Sequence, residues 1–204
     1  MLFNNDDEVF KHLKGIVSLN NGGVVIENID RLKTQGIDTL VENSVLNASS
    51  QIRGLSRFII KSSALEMGIV SSSIQGLYDA RGRDECGGFT VPAINIRGMS
   101  YDFSRSIFRT AQKLNTGSFI FEIAKSEIGY TFQQPHEIVG VILGAAIREN
   151  YTGPVFIQGD HFQVNAKKFH DNKEKEISGL KKLIQKGIEA GFYNIDIDTS
   201  TLVD

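Results

Sequence analysis

The chain is poor in cysteine, in excess positive charge and in long apolar runs, and each shortage excludes a class of protein. Cys86 is the one cysteine among 204 residues, so neither a disulfide framework nor a thiolate metal cluster can form within the chain. With 22 basic and 24 acidic residues, the formal charge is -2, which disfavours binding to a nucleic-acid backbone. No apolar stretch approaches the ~20 residues that span a bilayer.

Three common catalytic motifs are also absent: the P-loop, the Gly-x-Gly-x-x-Gly turn and the Gly-x-Ser-x-Gly elbow. The acidic start, Met-Leu-Phe-Asn-Asn-Asp-Asp-Glu, lacks the basic segment and apolar run of a signal peptide. An apolar content of 41% and a charged content of 23% are typical of a soluble globular protein. We therefore expect a cytoplasmic protein in a reducing compartment.

The composition changes near residue 86 and predicts two parts, residues 1–85 and residues 86–204. Residues 1–85 are interpreted as a helical N-terminal extension, because residues 5–80 show no convincing alternating strand and residues 38–67 carry apolar side chains at mixed three and four spacing. In the second part, strands are predicted at residues 89–96, 118–124, 154–159 and 192–197, and helices at 101–114, 135–150 and 174–190.

Strands that alternate with helices every 30 to 40 residues or so predict consecutive βαβ units and a parallel α/β sheet. The sheet could be open and doubly wound, or it could belong to a (β/α)8 barrel. A closed barrel needs eight strands, and four strands alone would leave two apolar edges exposed. We therefore expect the first half of a TIM barrel, with the chain truncated after its fourth strand.

Each predicted strand ends in polar side chains, namely Asn95, Glu122, Asp160 with His161, and Asp196 with Asp198. In both candidate folds the carboxyl ends of the strands gather at the site. Asp160 offers a carboxylate for proton transfer, and His161 offers an imidazole for a proton or a metal. Glu122 and Asp198 add two further carboxylates that could bind a metal. A capped turn with an exposed imidazole is the structural alternative, and the choice between Asp196 and Asp198 stays open.

Structural roles would explain the other strand-end residues as well. Asn95 could cap the turn that precedes the next helix, and Asp198 could be a helix N-cap. Glu122 could form a salt bridge with Lys125 or Arg105. Each of these three residues therefore has a structural interpretation as well as a functional one.

Three segments together resemble the class II, metal-dependent fructose-bisphosphate and tagatose-bisphosphate aldolases. They are Val-Pro-Ala-Ile-Asn-Ile (91–96), Val-Phe-Ile-Gln-Gly-Asp-His (155–161) and Ala-Gly-Phe-Tyr-Asn-Ile-Asp-Ile-Asp-Thr-Ser (190–200). Their order and spacing are more specific than any one of them, and the resemblance covers roughly residues 89–204.

The resemblance implies a role for individual residues. Asp160 matches the acid/base that exchanges the proton of the substrate's C4 hydroxyl, and His161 matches one of three zinc-binding histidines. Asp198 matches an acidic residue near the metal, whereas Asn95 and Ser126 match positions near the substrate. It also implies a Zn²⁺ (or other divalent metal) lyase of carbohydrate metabolism and glycolysis, which cleaves a ketose (bis)phosphate to glycerone phosphate and an aldehyde and forms a homo-oligomer.

The sequence departs from the family in several places. The family's other two zinc histidines and its phosphate-binding loops lie on later strands that these residues do not include, so this fragment alone should be inactive. Glu122, Gly159 and Phe162 also differ from the common pattern, which suggests a divergent branch with another substrate. Two alternatives remain: a non-catalytic module that binds a sugar phosphate or a partner, and another metal-dependent barrel lyase or isomerase in which Glu122 is an extra ligand or base.

Overall fold

The computed structural model describes residues 1–20 and 22–203. Its helices and strands, in chain order, are α1 (Asp6–Leu13), β1 (Val17–Asn20), β2 (Gly23–Ile26), α2 (Ile29–Arg31), α3 (Ile37–Leu46), α4 (Ser50–Glu66), β3 (Ile69–Ser72), α5 (Gln75–Gly82), β4 (Ala93–Asn95), α6 (Ser100–Leu114), β5 (Ile120–Ala124), α7 (Lys125–Thr131), α8 (Pro135–Arg148), β6 (Gly153–Asp160), α9 (Ala166–Asp171), α10 (Lys173–Ala190) and β7 (Asn194–Ile195). A π-helical turn (Leu32–Gly36) precedes α3, and a 3₁₀ turn (Ser200–Leu202) follows β7.

A parallel sheet organises the second half of the chain. Its order is β3-β6-β5-β4, and β7 also pairs with β6. The pairs β4–β5, β5–β6 and β6–β7 are all parallel. The register sets Asn95 opposite Glu122 and Ala124 opposite Asp160. The prediction of an α/β fold with a parallel sheet is therefore confirmed.

The sequence of β5 explains its central place in this sheet. Four of its five residues are buried, and only Glu122 is partly exposed. A strand that is buried on both faces reads as a continuous apolar run, because each face packs against other elements. The run Ile-Phe-Glu-Ile-Ala fits that rule apart from its glutamate, so Glu122 is the residue of this strand whose presence requires a chemical reason.

The chain divides into two compact units, each built from three segments. The first consists of Met1–Val70, Met99–Gly117 and Glu137–Val155; the second consists of Ser71–Gly98, Ser118–His136 and Phe156–Asp204. Both units draw on residues from either side of residue 85, where the composition changes. All the predicted site residues belong to the second unit.

Close helix packing and ion pairs hold the first unit together. Gly144 of α8 lies against α3, where a Cβ atom would clash with Cγ2 of Val41. Near the same helices, the Tyr101 hydroxyl donates to Asp38 Oδ1 at 2.6 Å, and Arg105 Nε donates to a Glu149 carboxylate oxygen at 2.7 Å. Burial raises the pKa of the Tyr101 phenol, so this hydroxyl keeps its proton and acts as a donor.

The prediction that residues 5–80 contain no strand is wrong in three places. Strands β1 and β2 form an antiparallel hairpin with Val17 opposite Ile26, and β3 joins the main sheet. Each of these strands has four residues, too few for alternation to be distinguished from helical spacing. The predicted strands at 89–96 and 192–197 are also shorter than expected, since β4 has three residues and β7 has two.

The helices of the second half agree better with their predictions. Helix α10 begins at a capped turn, in which the Asn172 side chain accepts a hydrogen bond from Lys175 N, and ends at Gly191, whose φ is 126°. Over residues 1–20 and 22–203, no helix combines the length and the apolar character that a bilayer crossing requires.

Candidate functional site

Polar side chains meet where β6 and β7 end. Asp160 is the last residue of β6, and the backbone pairing with the β7 segment continues past both strands. Asp196 N donates to Gly159 O at 2.8 Å, and Phe162 N donates to Asp196 O at 2.9 Å. These two bonds fix Asp196 beside the Asp160–His161 pair, so the chain brings two carboxylates and an imidazole to one place.

The His161 imidazole lies among three carboxylates. Its Nδ1 atom is 3.1 Å from Asp198 Oδ2 and 3.8 Å from Asp196 Oδ2, and its Nε2 atom is 3.8 Å from Asp160 Oδ1. The backbone N–H of His161 donates to Asp196 Oδ2 at 3.3 Å. His161 adopts the left-handed conformation with φ of 43°, which is uncommon for a residue with a Cβ atom and is typical of functional turns.

Asp160, His161 and Asp196 form a group whose ligand atoms all lie within 4.8 Å of one another. One imidazole nitrogen and two carboxylate oxygens fit a divalent cation, because catalytic zinc takes three such protein ligands and keeps a fourth position open. The sequence predicted His161, Asp198 and Glu122 as ligands. The structure instead brings Asp160 and Asp196 to the imidazole, with Asp198 on its Nδ1 atom.

The position of Asp198 suits it to orient the imidazole. A carboxylate on Nδ1 selects the tautomer that carries its proton there, and this leaves the lone pair of Nε2 for a metal. The contact with Asp198, followed by the nearby charge of Asp160, raises the pKa of His161. Hydrogen bonds from Ser200, followed by the contact with His161, lower the pKa of Asp198. Asp198 Oδ1 accepts from Ser200 N at 2.8 Å, but Thr199 occupies the N-cap position of the following 3₁₀ turn, so Asp198 is not the helix N-cap that the sequence left open.

Glu122 faces the same end of the sheet from the middle of β5. Its Oε2 atom lies 3.4 Å from Gln158 Nε2 on the paired strand. Burial, followed by the negative charge of Asp160, raises the pKa of Glu122. Neither salt bridge that the sequence offered is seen among the described residues, because Lys125 and Arg105 pair with other carboxylates.

Asn95 binds a glutamate that the sequence analysis did not single out. Its Nδ2 atom donates to Glu127 Oε2 at 2.9 Å, Ala124 N donates to the same oxygen at 2.9 Å, and Arg97 Nε donates to Oε1. Glu127 is buried; burial acts to raise its pKa, but these three hydrogen bonds outweigh burial and lower it. Ala124 precedes α7 and has no side-chain acceptor for a capping box, so the sequence carried no signal for this contact.

Ser126 lies away from the carboxylates, on a separate cavity. The cavity has a volume of about 590 Å³ and is lined by Lys125, Ser126, Gln163, Val164, Asn165, Ala166, Lys167, Lys168, Glu176 and Thr201. We call it the lysine cavity. Lys125 Nζ donates to Gln163 O and to Glu176 Oε1, both at 2.8 Å, so one of its three lysines is held firmly in the wall.

The chain matches no protein-family profile, no curated protein and no solved structure. Any functional conclusion therefore has to come from the geometry of the site and from the motifs of the sequence.

Proposed function

We propose that this protein is a metal-dependent lyase of the class II aldolase type, which cleaves or forms a ketose (bis)phosphate. The group of Asp160, His161 and Asp196 at the carboxyl ends of β6 and β7 is the observation that carries this proposal. The residues resemble those of the aldolases in the same order along the chain. The protein would act in cytoplasmic carbohydrate metabolism, with glycerone phosphate and an aldehyde as its products.

The order of β4, β5, β6 and β7 is the order of a barrel, whereas β3, which pairs with β6, departs from it. Strands β4, β5, β6 and β7 pair in chain order, each parallel to the one before. A doubly wound sheet reverses its order at a switch point, whereas a (β/α)8 barrel adds each strand beside the previous one. Under the proposal these strands are consecutive strands of a barrel.

The residues of the site have separable roles in such a reaction. The Asp160 carboxylate accepts the proton of the C4 hydroxyl, the C3–C4 bond breaks, and its electron pair passes to the ketone fragment as an enediolate. His161, held at Nδ1 by Asp198, would offer Nε2 to a metal, and Asp196 would offer a carboxylate oxygen. A divalent cation would supply stabilisation of the negative charge that develops on the substrate.

Metal content and turnover, measured together, test this proposal. Cleavage of ketose bisphosphates by the full-length protein should be abolished by a chelator and restored by Zn²⁺. Asp160→Ala and His161→Ala should each lower both turnover and metal content, because both side chains belong to the metal-ligand group and Asp160 is also the proposed base. Metal content that is unchanged in His161→Ala would remove the ligand assignment.

Glu122 supports a second candidate, a metal-dependent isomerase or a different barrel lyase. A carboxyl group whose pKa is raised by burial is suited to proton transfer nearer neutral pH. Under this candidate, Glu122→Gln abolishes turnover while the metal stays bound. A folded protein that binds neither metal nor substrate analogue in any variant would instead indicate a non-catalytic module.

A further inference from the structure

We infer that the lysine cavity binds a phosphate monoester, and that it holds the phosphate group of the substrate. The choice of a sugar phosphate as the ligand rests on the proposed function, but the affinity for phosphate does not. The predicted substrate-binding residue Ser126 lies in this cavity rather than in the carboxylate group.

Lys125 gives the cavity a positioned positive charge. Its ammonium group has three N–H donors, of which one goes to Gln163 O and one to Glu176 Oε1. The third donor stays available for a ligand in the cavity. A side chain that is already fixed by two acceptors loses little further freedom on binding, and this favours recognition of a small anion.

The other charged residues of the wall leave it positive. Glu176 is the one carboxylate among the lining residues, and Lys125 Nζ and Asn165 N both donate to its Oε1 atom. Lys167 and Lys168 are exposed, and neither forms an ion pair with any carboxylate of the described residues. Lys125 is thus paired with Glu176, and Lys167 and Lys168 supply the remaining positive charge of the lining.

The positive lining extends beyond this cavity. A second cavity of about 630 Å³ shares Lys168 and Glu176 with the first and adds Lys175, Lys182 and Asp171, along with uncharged residues of α9 and α10. Each volume lies in the range of small-molecule sites, about 300–1,000 Å³. A ligand of sugar-phosphate size therefore fits, and its phosphate would meet lysines from either cavity.

The chain places the lysine cavity close along the sequence to the metal-ligand group. Lys125 directly follows Ala124, which pairs with Asp160, and Gln163 comes two residues after His161. The segments that carry Lys125 and Gln163 into the wall of the lysine cavity therefore begin at the carboxyl ends of β5 and β6. A phosphate held there would orient the rest of a ketose toward the Asp160 carboxylate.

Titration with inorganic phosphate at constant ionic strength, followed by the backbone amide resonances of the protein, tests this inference. We expect saturable shifts centred on residues 163–168 and on Lys125 and Ser126. The double variant Lys167→Gln/Lys168→Gln should bind phosphate about fivefold more weakly or worse, the size expected for losing exposed charge contacts. Both side chains are exposed, so the variant should fold.

A matched control uses two exposed lysines of α10 that line neither cavity, Lys181→Gln/Lys186→Gln. The control should bind phosphate as the unmodified protein does. Equal weakening in both double variants, or shifts that do not saturate, would overturn the inference, since either would indicate general attraction to positive charge.

Two further binding measurements distinguish this inference from the proposed function. A ketohexose phosphate that binds more tightly than inorganic phosphate identifies the sugar phosphate as the ligand, whereas equal affinity assigns the cavity to free phosphate. Zinc titration of the same samples reports on Asp160, His161 and Asp196. Zinc binding without phosphate binding overturns only this inference, and phosphate binding without zinc binding overturns only the metal proposal.

Discussion

The aromatic ring of Phe162 lies against the backbone of Gly159, so closely that a Cβ atom at Gly159 would stand 2.7 Å from Cζ of the ring. Phe162 is fully buried, and its N–H bonds to Asp196 O. The ring and the glycine therefore close the turn that carries Asp160 and His161. Gly159 and Phe162, the two residues that depart from the aldolase pattern on either side of Asp160 and His161, therefore pack against each other.

Gly159→Ala should destabilise the protein by about 1–3 kcal/mol, because a methyl group there overpacks a fixed ring. Urea unfolding followed by circular dichroism measures this loss. Gly179→Ala is the control: nothing lies within 4 Å of its added Cβ, and alanine in the interior of α10 should add up to about 1 kcal/mol. Equal stability of the two variants would contradict the packing arrangement.

Glu127→Gln should also destabilise the second unit. The variant keeps the shape of the side chain but loses the charge that accepts bonds from Asn95, Arg97 and Ala124 N. A loss of about 1–2 kcal/mol follows, since Arg97 is itself more than half exposed and its share is screened by water. Glu174→Gln, at an exposed position of α10, should change the unfolding free energy little.

The effect of Glu127→Gln should depend on pH with a definite sign. The pKa of Glu127 is lowered in the folded protein from its usual value of 4.5, so the carboxylate stabilises the fold fully above that value. This contribution is lost as the pH falls through the lowered pKa of the folded state. The stability difference between the unmodified protein and the variant should therefore be constant near neutral pH and shrink in acid. A difference that grows in acid would contradict the assignment.

Asp198→Asn should lower the pKa of His161, because it removes the negative charge that contacts Nδ1. The His161 ring resonances measured against pH report the change directly. The raised pKa of His161 favours the charged imidazole, and a metal needs the neutral one, so metal affinity in the unmodified protein should rise with pH above about 6.5. The variant should reach its full affinity at lower pH. An unchanged His161 titration would exclude the contact.

The sequence predicted the parallel sheet and the end of β6 well because both depend on local patterns. The run that forms β6 is apolar from Pro154 to Ile157, and the polar residues that follow must lie at the carboxyl edge of the sheet. Asp160 and His161 are adjacent in the chain, so their proximity required no tertiary information. The same holds for α10, which was predicted at 174–190 and spans Lys173–Ala190.

The remaining features depend on contacts that are distant in sequence. Strand β3 joins the sheet by pairing with β6, about eighty residues later in the chain, and four residues after a turn glycine give no pattern that predicts it. Asp196 and Asp198 lie two residues apart on an extended segment. The pairing of Asp196 with Gly159 and Phe162 brings both carboxylates to the Nδ1 side of the imidazole, and the sequence does not reveal this pairing. Asn95 contacts Glu127 for the same reason, since β4 and β5 pair in register.

The most direct test of the metal proposal is calorimetric titration of the chain with Zn²⁺ at a pH above the His161 pKa. We predict one site, with affinity at least about tenfold weaker in His161→Ala and in Asp196→Asn, the loss that follows from removing a ligand or its close partner. Asp171→Asn, an exposed carboxylate outside the group, should leave the affinity unchanged. Equal affinities in all four proteins, or no saturable binding in any, would contradict the assignment of Asp160, His161 and Asp196 as a metal centre.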